Sequence, residues 1–178
     1  MAVRGRRAEP SLVLPGLGDF IGVLPRLDRV RARAANTQEE AAPLETEWSS
    51  DERDMRCVLR EAGPDEVELI IEAYQLPPGQ QLFEVRVATV RGNLDFLVPA
   101  TTGDAGWSAA ALSIPDAGSS VEVAVLRLRP ATSLGAGDLP VIGRSVRSTG
   151  GAGHAAWDAI RGRLPEGDPV REGISAEL

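Results

Sequence analysis

Residues 67–128 read VELIIEAYQLPPGQQLFEVRVATVRGNLDFLVPATTGDAGWSAAALSIPDAGSSVEVAVLRL, and their periodicity decides the fold. Val67, Leu69, Ile71 and Ala73 alternate with Glu66, Glu68 and Glu72, which is how a strand with one buried face is written. Pro77-Pro78-Gly79 stops that run, and Phe83, Val85 and Val87 then alternate with Glu84 and Arg86. Gly92-Asn93 makes a turn into Leu94, Phe96 and Val98. Trp107, Ala109 and Ala111 open a fourth run, which Ile114-Pro115 closes. The fifth places Val121, Val123 and Val125 on one face and then changes phase, with Leu126 and Leu128 apolar and Arg127 and Arg129 between and after them. A β-bulge near Val125-Leu126, or burial on both faces, explains the change.

Turns at this rhythm predict an antiparallel β-sandwich, Ig-like or transthyretin-like in general shape. Residues 55–60 supply one more strand ahead of the Gly63-Pro64-Asp65 turn, and residues 139–147 read as another after a Gly-rich loop. The predicted β domain is therefore 55–148. Residues 1–35 read as a basic arm. Within it, 17–35 is expected to form an amphipathic helix with Leu24, Leu27, Val30 and Ala34 as its apolar stripe and Arg26, Arg29 and Arg33 on a neighbouring face. Residues 36–54 are acidic and read as a linker. Residues 149–178 read as a Gly-hinged helix over 153–164, with Trp157 and Ile160 on one side, followed by a polar tail.

Charge divides the chain the same way: 1–33 carries a net of +4, 34–54 a net of −6, and the whole chain −7. That balance argues against a general nucleic-acid binder, which needs a basic face to displace counterions. All nineteen basic residues are Arg, so lysine Schiff-base chemistry and a phosphate-loop lysine are excluded. Cys57 is the only cysteine, which rules out an intramolecular disulfide or a multi-cysteine metal site and suits a reducing cytoplasm. No stretch is apolar over the length a membrane span needs. Arg6-Arg7 precede an apolar stretch, but Pro10, Pro15, Asp19 and Pro25 interrupt it, so it is not read as an export signal.

Few residues suggest chemistry. Gly151-Ala152-Gly153-His154-Ala155-Ala156 fits a G-x-G-x-x-A dinucleotide fingerprint, but no second parallel strand follows to complete the unit. It reads instead as a hinge into a helix capped by Ser148 or Thr149. His154 is the sole histidine, and with Ser145 or Ser148 it lacks a nucleophile elbow. Asp104-Ala105-Gly106 and Asp116-Ala117-Gly118 repeat before two strands without the alternating oxygen ligands of a Ca²⁺ loop. No catalytic, cofactor or metal residues are predicted.

The expected function is a non-enzymatic bacterial protein-protein interaction or regulatory module, with the sandwich as scaffold and the helical flanks docking a protein partner. Arg26, Arg29, Arg33, Arg127, Arg129 and Trp157 are its candidate contact residues. The alternative is a small-ligand or carbohydrate-binding β-module using loops near Trp107, with Asp104 and Asp116.

Overall fold

The computed structural model describes residues 21–28, 44–50, 54–115, 117–118 and 120–178. Among them the strands are β1 (Gly22–Val23), β2 (Leu27–Asp28), β3 (Glu45–Ser49), β4 (Met55–Glu61), β5 (Val67–Tyr74), β6 (Gln81–Thr89), β7 (Gly92–Pro99), β8 (Thr101–Thr102), β9 (Trp107–Ile114) and β10 (Ser120–Pro130). The helices are α1 (Leu139–Ser148), α2 (Ala152–Arg163) and α3 (Pro169–Ser175). One sheet runs β1-β10-β6-β7, with β2 also on β10, and the other runs β3-β4-β5-β9-β8. Every pairing is antiparallel.

The two sheets enclose a common core. Val67, Leu69 and Ile71 of β5 and Leu112 and Ile114 of β9 meet Phe83, Val85 and Val87 of β6 and Val121, Val123 and Val125 of β10. The alternation of 67–73, 83–87 and 94–98 thus points inward as read. In β9 the buried set is Ser108, Ala110, Leu112 and Ile114, so Trp107, Ala109 and Ala111 face outward. The phase change of β10 is a bulge: Val125 pairs with Val85 and Arg127 with Glu84, leaving Leu126 extra.

A second core lies on the other side of the first sheet. Leu82 and Leu97 project from its outer face into Ile142 and Val146 of α1, Trp157 and Ile160 of α2, and Val170 and Ile174 of α3. The predicted strand over 139–147 is therefore helix α1. Its β-branched residues suggest a strand, but Pro140 starts the first turn, and Ile142 and Val146 sit four apart, which fits one face of a helix. The tail read as polar contains α3, capped by the Asp168 carboxylate accepting from Val170 N at 2.8 Å.

The N-terminal helix predicted over 17–35 is not formed across 21–28. That stretch is extended and adds to the open edge of β10, with Leu24 N donating to Val123 O at 2.9 Å. Leu24 and Leu27 still reach the core, and Pro25 separates the two short strands. The rest of the predicted helix, with Arg29 and Arg33, lies outside the described residues. The acidic linker predicted over 36–54 contains β3, whose Glu45, Glu47 and Ser49 face outward while Thr46 and Trp48 turn in. Outward charges on an edge strand blunt edge-to-edge pairing.

Candidate functional site

β5 and β9 end together at one corner, where Tyr74 pairs with Trp107 across the ladder. The ring centroids are 5.3 Å apart and tilted by 47°. Both rings are exposed, at 41% and 39%, although the chain has only seven aromatic residues. An exposed touching pair is a poor use of scarce apolar surface unless something covers it.

The backbone at this corner is strained. Gln75 (φ 53°) and Ala105 (φ 54°) are the non-glycine residues with positive φ among those described. Each costs on the order of 1 kcal/mol. They are joined through Gln75 N donating to Gly106 O at 2.8 Å. A side chain at Gly106 would begin 3.0 Å from the Tyr74 ring, so glycine there lets the aromatic ring lie against the turn.

A concavity opens on each side. One, of about 490 Å³, is lined by Trp48, Ser50, Asp54, Met55, Tyr74 and Leu76. The other, of about 410 Å³, lies among Gln75, Leu76, Pro78, Gln80, Thr102 and Arg163. The outer face of the same sheet carries cross-strand ion pairs. Arg56 holds Glu47 at 2.9 Å and 3.1 Å and Glu72 at 3.5 Å, and Arg60 holds Glu68 at 2.6 Å. The hydrogen bond from Arg56 lowers the pKa of Glu47, outweighing the opposing effect of burial. Such exposed pairs add little stability, and their value is in organising charge over the face.

The residues predicted as contacts are not brought together here. Arg26 is exposed between β1 and β2. Arg127 and Arg129 lie on the outer face of the first sheet, where both bind Glu84, at 2.6 Å and 2.9 Å, and Arg129 also binds Asp138 at 3.1 Å. Burial alone would raise the Glu84 and Asp138 carboxyls, but the guanidinium hydrogen bonds outweigh it and hold both below the ordinary range. Trp157 is fully buried in the second core, which corrects its reading as a contact residue. Its Nε1 has no hydrogen-bond partner among the described residues.

The candidates for chemistry make contacts within the fold. Burial pushes the Cys57 thiol up to about 12, far from a reactive thiolate. The Ser145 hydroxyl donates to Val141 O at 2.7 Å and accepts from Leu97 N at 2.8 Å. His154 Nε2 lies 3.0 Å from Val146 O. Gly151–Ala156 opens α2 after a helix rather than a strand, so the dinucleotide context fails at its first element. Neither Ser148 nor Thr149 caps α2, and Thr149 Oγ1 donates instead to Val146 O at 3.1 Å. Of the alternative ligand set, Asp116 lies outside the described residues.

The sequence points to Trp107 but not to Tyr74 as its partner. The usable signal is that both fall at the ends of adjacent antiparallel strands on outward positions. Comparison of the chain with protein-family models, curated proteins and solved structures gave no match. Among the described residues no helix is long and apolar enough to cross a membrane.

Proposed function

We propose that this chain is a non-enzymatic protein-interaction module that meets its partner at the Tyr74–Trp107 corner. The observation that supports this is the exposed aromatic pair set between two concavities. Tyr and Trp are the residues around which interface energy concentrates, because they bury much area at little entropic cost. The Arg56–Glu47–Glu72 lattice on the same face would select among partners by charge. The overall shape fits an Ig-like or transthyretin-like sandwich acting as scaffold. The lone buried thiol suits a bacterial cytoplasm.

This reading moves the contact away from the C-terminal flank, because α2 and α3 use their apolar faces against the first sheet. The exposed Trp107 also supports the alternative of a small-ligand or carbohydrate module. The 47° tilt means the two rings offer no single flat platform for adjacent sugar rings, which supports a protein partner over an extended sugar chain.

The test is a photo-crosslinking residue placed at Trp107, with Val90, exposed at the far end of the sheets, as the control position. Expressed in the native cell, the Trp107 probe is expected to give a discrete protein adduct that Tyr74→Ala abolishes. Equal labelling from both positions, or none from either, would sink the proposal. Saturable quenching of Trp107 fluorescence by a sugar panel would move the assignment to the alternative.

A further inference from the structure

A slot of about 190 Å³ lies where the end of α2 meets the sheets, next to the 410 Å³ concavity and lined by neither Tyr74 nor Trp107. Pro78, Pro130, Ala131, Ile160 and Leu164 form its walls, and Arg163 stands at its rim. Arg163 also borders the larger concavity of about 410 Å³, so it stands between the two spaces.

Most of the backbone and amide groups around the slot are already used. Gln80 O accepts from Ala131 N at 2.9 Å, and Pro77 O and Pro78 O share the Gln81 amide at 3.4 Å and 3.2 Å. Leu164 O accepts from Arg171 Nη1 at 3.0 Å, and Arg161 is paired with Asp158. An apolar space without spare polar partners does not hold ordered water well, and it favours an apolar occupant. Arg163 and the Thr132 hydroxyl are the exceptions, and Arg163 is the charged one: among the described residues no ion pair or hydrogen bond engages its guanidinium.

From this juxtaposition we infer that the slot binds a small monocarboxylic acid, with a compact branched or aromatic body among Pro78, Ile160 and Leu164 and its carboxylate on Arg163. A planar guanidinium matches a carboxylate through two parallel hydrogen bonds. One cation at the rim suits one negative charge, and a dianionic head group would need a second donor cluster. The slot shares Arg163 with the concavity beside the aromatic corner but neither ring, so a test at Trp107 and a test at Ile160 can fail separately.

The test uses the full chain with methyl-labelled Ile and Leu, titrated by NMR with 3-phenylpropionate and 4-methylpentanoate. The controls are 3-phenylpropionamide, acetate and a short peptide ending in leucine. Saturable shifts at Ile160 and Leu164 are expected for the two acids. The amide should bind about tenfold more weakly or worse, as loss of one charge-assisted hydrogen bond implies. Arg163→Gln should weaken the acids equally, Arg163→Lys should restore part of the affinity, and Thr132→Trp should block the slot from its exposed side. Both positions are exposed, and an unchanged methyl spectrum without ligand confirms the fold. Trp107→Ala should leave acid binding unchanged. Absence of saturable shifts, equal binding of the amide, or indifference to Arg163→Gln would overturn the inference. So would tighter binding of the peptide, which would make the slot a chain-terminus site.

Discussion

Three positions show how closely this fold is fitted. A methyl group on Gly22 would lie 2.6–2.9 Å from the Trp48 ring, so β1 packs on that ring only as glycine. Gly22→Ala should therefore cost about 1–3 kcal/mol by overpacking, read as a lowered urea midpoint, with Trp48→Leu relieving it. Ser145 is buried and satisfies the backbone N–H of Leu97 on an edge strand. Ser145→Ala should strand that donor and cost about 1–3 kcal/mol, with local loss of hydrogen-exchange protection at Leu97. Cys57 is fully buried with its thiol raised to about 12, so a thiol reagent should label it only as fast as the protein opens. Rapid labelling under native conditions would contradict that burial.

The elements differ in how plainly the residues announce them. The strands over 67–73, 83–87 and 94–98 were legible because one face is core and the other solvent, which writes the period directly into the sequence. Strand β3 was hidden by composition: Glu45 and Glu47 look like linker acids until Thr46 and Trp48 are seen to alternate with them. Helix α1 was hidden by its β-branched Val141, Ile142 and Val146, although Pro140 already marked a helix start. Helix α3 carried a cap signal in Asp168-Pro169, ahead of Val170 and Ile174 four residues apart. At this scale the Glu84–Arg129–Asp138 group ties β6 and β10 to the turn before α1. Its carboxyls are held below their ordinary values, so their contribution is present above the unfolded pKa of about 4 and is lost as pH falls through the folded values. Glu84→Gln should lower stability at neutral pH by about 1 kcal/mol and make the acid limb of a Tm-against-pH curve shallower.

At the scale of the molecule, the first sheet is the middle layer, with the second sheet on one side and the helices on the other. Without α2 and α3, Leu82 and Leu97 on its outer face and Ile142 and Val146 of α1 would lose most of their apolar cover. Removing residues 151–178 should therefore produce a species that binds a hydrophobic dye and aggregates, whereas a separable C-terminal arm would leave a well-folded remainder. The sequence could not disclose this, because a strand buried on both faces and a strand facing water differ there only by single residues such as Leu82 and Leu97. The candidate site was less legible still. It depends on which outward positions of β5 and β9 become neighbours, and that is a matter of register, not composition.

The bulge in β10 makes an unusual deletion tolerable. Removing one residue from a strand normally inverts every side chain beyond it. Here the ladder on β6 already counts as though Leu126 were absent, passing from Val125↔Val85 to Arg127↔Glu84 and Leu128↔Phe83. A chain lacking Leu126 would keep Val125 and Leu128 inward and Arg127 against Glu84. It would lose only what Leu126 supplies beside Val141 on the helical side. Insertions and deletions across a strand are usually read as lethal, but at this position the length of the protein is negotiable and its facing is not.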